Sequence, residues 1–139
     1  MFDLRISIYL LLISVCSEVY AFITGKLIGK HFLKVISPSK TFEGIVGGLI
    51  FGTFIPVMYY FCFIDFDVKF IFITLFLCVL GIVGDLCFSS IKRYFGVKDF
   101  SSFLPYYGGV LDLFDSIIFI LLGFTFFVNI GCASSVLNI

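Results

Sequence analysis

The chain has 139 residues, of which 61% are hydrophobic and 13% charged, with 21 Phe and a formal net charge of zero. With a mean hydropathy of +1.22, this composition excludes an ordinary soluble domain. Zero net charge leaves bulk electrostatics silent about partners, and no nucleic-acid partner is expected.

A hydrocarbon core about 30 Å thick needs roughly twenty apolar residues per crossing helix. Four segments meet that length, near Ile6–Gly25, Ile45–Ile64, Phe70–Phe88 and Leu111–Gly131. The expectation is an all-α integral membrane protein of about four transmembrane helices, a single membrane-embedded domain over residues 1–139 with polar loops on the cytoplasmic side. Glycine spread through the spans suits closely packed membrane helices.

In the first span Arg5 precedes the apolar run as it would in a signal peptide. The run has the length of a span, contains Glu18 and lacks a small-x-small cleavage site before Gly25, so it reads as a membrane helix. Glu18, beside Ser17, is a carboxylate in apolar surroundings that needs a partner or a cation. The loop that follows carries Lys26, Lys30, Lys34 and Lys40. Lysines at membrane edges are commonly anchors, and the first three are read so; Lys40 divides evenly between anchor and ligand group. Ser37-Pro38-Ser39-Lys40-Thr41 leads into the second span, where Pro38 suits a first helical turn and Ser37 its cap. A helix N-terminus beside a lysine is a ready phosphate site. His31, the single histidine, reads as a solvated loop side chain without a role.

After a short turn at Asp65–Lys69, the third span brings Asp85, Ser89 and Lys92 to i, i+4 and i+7, one face if the helix continues. They form either a metal-binding acid with phosphate-binding groups above it or a neutralised polar seam between helices. The intramembrane carboxylate favours function. Asp112 and Asp115, at i and i+3 where the fourth span starts, also share a face. Two such carboxylates repel unless a proton or cation is shared, and Mg²⁺ is held by one or two carboxylates together with substrate phosphates. Placement at a positive helix end would account for one acid better than for two. Gly108-Gly109 before them lets the backbone approach a ligand closely. The tail Gly131–Ile139 is uncharged, and Cys16, Cys62, Cys78, Cys87 and Cys132, without metal-ligand spacing, read as small buried hydrophobes.

With four spans the first and third loops fall on one side. They hold Lys26, Lys30, Lys34, Lys40, Lys92, Arg93 and Lys98, leaving Arg5 and Lys69 for the other. The positive-inside bias puts both loops in the cytoplasm and both termini outside. No Ser/His/Asp pattern, reactive Cys/His pair or phosphate-binding GxxxxGK[ST] loop is present. Metal-assisted phosphoryl or nucleotidyl transfer at a membrane surface is what the residues themselves suggest.

The stretch SSIKRYFGVKDFSSFLPYYGGVLDLFDS, Ser89–Ser116, resembles the signature of the phosphatidate cytidylyltransferases. Ser89, Lys92, Arg93, Lys98, Asp99, Ser101, Leu104, Pro105, Gly108, Gly109, Asp112 and Asp115 match in register. Upstream, GKLIGKHF, ISPSKTFEGIVGG and the Gly84-Asp85-Leu86 triplet resemble that family's earlier blocks in order and spacing, so the resemblance runs from about Ser17 to Gly123. It implies the reaction of CTP with phosphatidate to give CDP-diacylglycerol and pyrophosphate, in phospholipid biosynthesis, with Mg²⁺ required and room for a second cation. By that match Asp85, Asp112, Asp115 and Glu18 would hold cations. Lys92, Arg93 and Lys98 would contact phosphates, completing with Asp85 and Asp99 the catalytic set. Ser37, Lys40, Thr41, Ser89, Gly108 and Gly109 would bind substrate. The implied partners are CTP, phosphatidate and the bilayer, and a homodimer is compatible with them.

Tyr107 stands where the family has His, Leu113 where it has Arg, and Glu18 where it usually has Asp. The chain is also shorter than a usual member by what would be N-terminal spans, so a fragment, a minimal enzyme and a truncated non-catalytic homologue are all among the expectations. A CTP-dependent polyprenol or dolichol kinase has a related polar core but fits the K-D…G-G-x-x-D-x-x-D spacing less well. An ion-coupled transporter is disfavoured because the acids gather at one membrane face.

Overall fold

The computed structural model describes residues 4–36, 40–64, 67–96 and 108–130, the last stretch with side chains from residue 114 onward. They form four helices, α1 (Leu4–Ile28), α2 (Phe42–Phe63), α3 (Lys69–Tyr94) and α4 (Gly108–Asn129). Among the described residues there is no strand, only an isolated bridge between Phe32 and Thr41. α1, α2 and α3 are each long and apolar enough to cross a membrane, and the part Phe114–Asn129 of α4 is apolar as well. The all-α expectation holds. α3 continues past the span boundary at Phe88 to Tyr94 because the helix outlasts its apolar stretch. Its C-cap is Phe95, followed by Gly96, whose φ of 71° is the left-handed conformation glycine adopts without penalty.

Small residues decide how α1 meets α2. Gly44, Gly48 and Gly52 recur at four-residue spacing and face Ala21 and Ser17 across the interface. A Cβ on Gly48 would lie 2.8 Å from the Cβ of Ala21, and one on Gly52 would lie 2.8 Å from the Cα of Ser17. The two backbones therefore run closer together than any larger residue would allow. α3 and α4 interlock differently, with bulky side chains set into gaps. Phe119 fills the space over Gly84, and Leu80 the space over Gly123.

The core is made by Tyr9 and Ile13 of α1, Tyr60 of α2, Phe70 and Leu77 of α3, and Ile120 and Phe124 of α4. Tyr60 stacks on Phe70 with ring centroids 4.0 Å apart. The buried hydroxyls of Tyr9 and Thr74 share a hydrogen bond of 2.5 Å. These contacts lie toward the end where Arg5 donates to the Phe63 carbonyl at 3.1 Å. Outside the core, Phe54, Phe72, Leu122 and Phe126 are each more than 60% exposed. An apolar outer surface this extensive suits lipid.

Two sequence expectations need correction. α2 starts at Phe42 and is capped by Thr41, whose hydroxyl accepts from the Gly44 amide at 3.2 Å, so neither Pro38 nor Ser37 forms its first turn or cap. The paired backbone of the connection fixes that start, with Leu33 N–H donating to the Lys40 carbonyl at 2.9 Å and Phe42 N–H to the His31 carbonyl at 3.0 Å. Ser37 and Pro38 themselves lie outside the described residues. Among the cysteines, Cys78 is buried and Cys16 partly so, but Cys62 and Cys87 are exposed on the outer surface. A thiol behaves as a small apolar group, so a lipid-facing surface accommodates it without burial. Cys132 lies outside the described residues.

Candidate active site

At the end of the bundle opposite Arg5, a cavity of about 640 Å³ opens between α1, the α1–α2 connection and α3. α1 contributes Ser17, Glu18, Phe22, Gly25 and Lys26, the connection Gly29, Phe32, Lys40 and Thr41, and α3 Gly81, Asp85, Ser89, Lys92 and Arg93. The expected face of α3 is present, since Asp85, Ser89 and Lys92 all line this one space. Lys40 of the α1–α2 connection and Lys92 and Arg93 at the basic end of α3 meet around this one cavity.

Three pairs cross between elements here. Lys40 of the connection pairs with Asp85 of α3. The Nζ of Lys92 lies 3.4 Å from Oδ2 of Asp115, joining α3 to α4, with the two side chains only 11% and 10% exposed. The Ser116 hydroxyl of α4 donates to Oε1 of Glu18, joining α4 to α1. Glu18, Asp85 and Asp115, each expected to meet a cation, are thus already met by an ammonium or a hydroxyl. Only the Lys92–Asp115 pair is enclosed on both sides, and there a charge left without its partner costs on the order of 3–5 kcal/mol.

The cavity's titratable wall holds four cations, Lys26, Lys40, Lys92 and Arg93, against the carboxylates Glu18 and Asp85. That excess favours an anionic occupant, and low-dielectric walls focus the field. Phe22, Phe32, Ile45, Ile82 and Leu86 supply an apolar side to the same space. A ligand with both phosphate and hydrocarbon would find a complement for each.

Lys26, read from sequence as an anchor, lines the cavity, whereas Lys30 and Lys34 are not among its lining residues. The signal is present in the helical spacing, because Glu18, Phe22, Gly25 and Lys26 fall at i, i+4, i+7 and i+8. His31, read as having no role, keeps a solvated ring, but its Nδ1 lies 2.5 Å from Oε1 of Glu43. Its amide also reaches that carboxylate at 3.2 Å, clasping the connection to the first turn of α2. Ser37, Lys98 and Asp99 lie outside the described residues, and Gly108, Gly109 and Asp112 fall in the first turns of α4, where only the backbone is described. Among the described residues no three His, Cys, Asp or Glu side chains converge as a metal cluster.

The model of the cytidylyltransferase family matches residues 2–131. A phosphatidate cytidylyltransferase of Staphylococcus haemolyticus is 44% identical over 118 residues, which cover 82% of this chain and 45% of the relative. One from Staphylococcus saprophyticus is 49% identical over 105 residues, covering 73% of this chain and 40% of the relative. A third, from Staphylococcus epidermidis, is 41% identical over 122 residues, 85% of this chain and 46% of the relative. The chain thus spans about half the length of the curated relatives it matches. No solved structure matches it.

Proposed function

The chain belongs to the cytidylyltransferase family, and we propose that it transfers a cytidylyl group from CTP to phosphatidate, giving CDP-diacylglycerol and pyrophosphate. The observation that carries this reading is the cavity itself, where Lys26, Lys40, Lys92 and Arg93 stand beside an apolar wall on a lipid-facing bundle. In the proposed reaction an oxygen of the lipid phosphate attacks the α-phosphorus of CTP while the bond to the pyrophosphate oxygen breaks. Little covalent chemistry falls to the protein, so its work is positioning and neutralising charge. Lys92 and Arg93, on consecutive positions at the end of α3, would hold the nucleotide's phosphates together with Lys98. Lys40 and Thr41, at the α2 N-terminus where backbone N–H groups favour anions, would hold the lipid phosphate together with Ser37. Ser89 would donate from the turn above Asp85, and Gly108 and Gly109 would let backbone amides close over a phosphate, with Asp99 orienting the adjacent Lys98.

The donor set suits Mg²⁺, since the acids are oxygen ligands and two of them, Glu18 and Asp85, line the phosphate-compatible cavity. We assign Asp85, Asp112 and Asp115 to the cation or pair of cations, and leave Glu18 to its bond with Ser116. When bound, the ion would supply charge neutralisation on the leaving pyrophosphate. The reading takes residues 1–139 as one membrane-embedded unit, with the cavity facing the cytoplasm as the basic loops predict. It includes assembly as a homodimer, which cross-linking in membranes would test.

The deciding experiment supplies CTP, phosphatidate and Mg²⁺ to the purified chain in lipid and detects CDP-lipid. Product from the natural chain, lost in Asp112→Asn and Asp115→Asn although both insert into the membrane, supports the reading. Phosphorylated polyprenol in place of CDP-lipid, or unchanged turnover in either variant, argues against it.

A further inference from the structure

We infer that Glu18 is a positioning residue whose carboxylate holds Ser116 and so sets where the start of α4 stands against the cavity. For its activity arm this rests on the cytidylyl-transfer reading; its structural arm does not. Ser116 is 1% exposed and donates its hydroxyl hydrogen to Oε1 of Glu18, 98 residues earlier in the chain.

That direction is unusual within this molecule. Ser17, Thr53, Thr74 and Thr125 return their hydroxyl hydrogens to carbonyls of their own helices, and Thr24 does so at 2.6 Å while its hydroxyl also lies 3.3 Å from the Gly44 carbonyl of α2. This is the usual behaviour of such side chains in apolar surroundings. Ser116 instead directs its one hydrogen to another helix, where a carboxylate makes the stronger, charge-assisted acceptor.

The neighbouring residue explains why this matters. Asp115 reaches Lys92 on α3, and Ser116 follows it about 100° around the helix. Consecutive residues therefore hold α4 from two sides at one level, against α3 through Asp115 and against α1 through Glu18. The turn below carries Asp112, three residues before Asp115. With Glu18 removed, α4 keeps its attachment to α3 but loses the strut that fixes its rotation, and the acids shift relative to the cavity.

The test uses the chain reconstituted in lipid as Glu18→Ala, Glu18→Gln, Ser116→Ala and the double alanine variant. Turnover, KM for CTP and Mn²⁺ affinity are measured. A spin-label distance between cysteines introduced at Leu11 and Leu122, with the native cysteines replaced by alanine, reports the α1–α4 spacing. We expect each alanine variant to lower kcat by about ten- to a hundredfold with KM for CTP within about twofold, since misplacement by about 1 Å costs on that order. The double variant should lose no more than the worse single, because the two residues act as one unit. Glu18→Gln, whose amide oxygen can still accept from Ser116, should recover most of the loss, keep Mn²⁺ affinity and keep the narrow distance distribution that the alanine variants broaden. The inference is overturned if glutamine loses as much as alanine and weakens Mn²⁺ about tenfold with spacing unchanged, which would make Glu18 a cation ligand. It is also overturned if neither alanine variant changes the spacing. Should the natural chain form no CDP-lipid, the transfer reading falls, while the distance and Mn²⁺ arms still decide the task of Glu18.

Discussion

Lys40 and Asp85 form an ion pair across the mouth of the cavity, the ammonium coming from the α1–α2 connection and the carboxylate from within α3. Their side chains are 28% and 33% exposed, so water screens the pair and either partner can be drawn away at small cost. On the proposed reading, a cation held by Asp85 would compete with Lys40, whose ammonium would then be free to meet a phosphate.

Lys40→Met should therefore tighten Mn²⁺ binding while slowing transfer. The tightening should not exceed about fivefold, the value of roughly 1 kcal/mol for a partly solvated pair. The loss of turnover should be larger, on the order of a hundredfold, because a phosphate contact made in the transition state is gone. Electron paramagnetic resonance of Mn²⁺ and CDP-lipid formation read the two effects separately. Weaker Mn²⁺ binding in Lys40→Met would contradict the competition.

Lys92 and Asp115 are enclosed, and their pairing predicts a stability effect independent of activity. Asp115→Ala should destabilise the chain by about 3–5 kcal/mol, since it removes the counter-charge beside an enclosed ammonium. Adding Lys92→Met should restore most of that stability without restoring transfer. Thermal unfolding in detergent, followed by circular dichroism, compares the single and double variants. A double variant less stable than Asp115→Ala would be inconsistent with this account.

Gly52→Ala should loosen the α1–α2 pair. The added methyl would sit 2.8 Å from the backbone Cα of Ser17, where no side-chain rotation can relieve it. Overpacking of this kind costs about 1–3 kcal/mol, whereas Ile50→Ala on the 59% exposed outer surface should change the unfolding temperature far less. Equal shifts for the two variants would mean that close approach is not what joins these helices.

Leu113→Arg should raise CDP-lipid formation. It restores between Asp112 and Asp115 a group that can pair with a phosphate or with either acid. If the position instead faces lipid, the arginine would cost roughly 2.5–3.5 kcal/mol on insertion and membrane yield would fall. Yield and product are measured together, and normal yield with no added product would show that the missing guanidinium does not limit the chain.

A cysteine at Lys34 should react with membrane-impermeant reagent only from the cytoplasmic side, because the basic connections orient the bundle. Labelling from outside alone would reverse the orientation and remove the cavity from cytosolic CTP.

The helices and the polar face of α3 are legible in the sequence because both are written in local spacing. Asp85, Ser89 and Lys92 need only an unbroken helix to converge. The start of α2 is hidden for a reason of range. Ser37-Pro38 is the stronger local signal, but the bridge between Phe32 and Thr41 sets the boundary, and a pairing across the turn leaves no trace in either residue alone. Lys26 is ambiguous because an edge lysine looks the same whether it meets headgroups or a cavity. The partner of Glu18 has no local signature at all.

That last separation also has a consequence in time. A ribosome adds about 5–20 residues per second, so the 98 residues between Glu18 and Ser116 take roughly 5–20 seconds to make. α1 enters the bilayer with its carboxylate long before the hydroxyl that will receive it exists. Through that interval the young α1–α2 hairpin, already held by its glycine contacts, carries an unfinished polar site. Completion of the fourth helix is therefore also the step at which the carboxylate of the first acquires its hydroxyl partner.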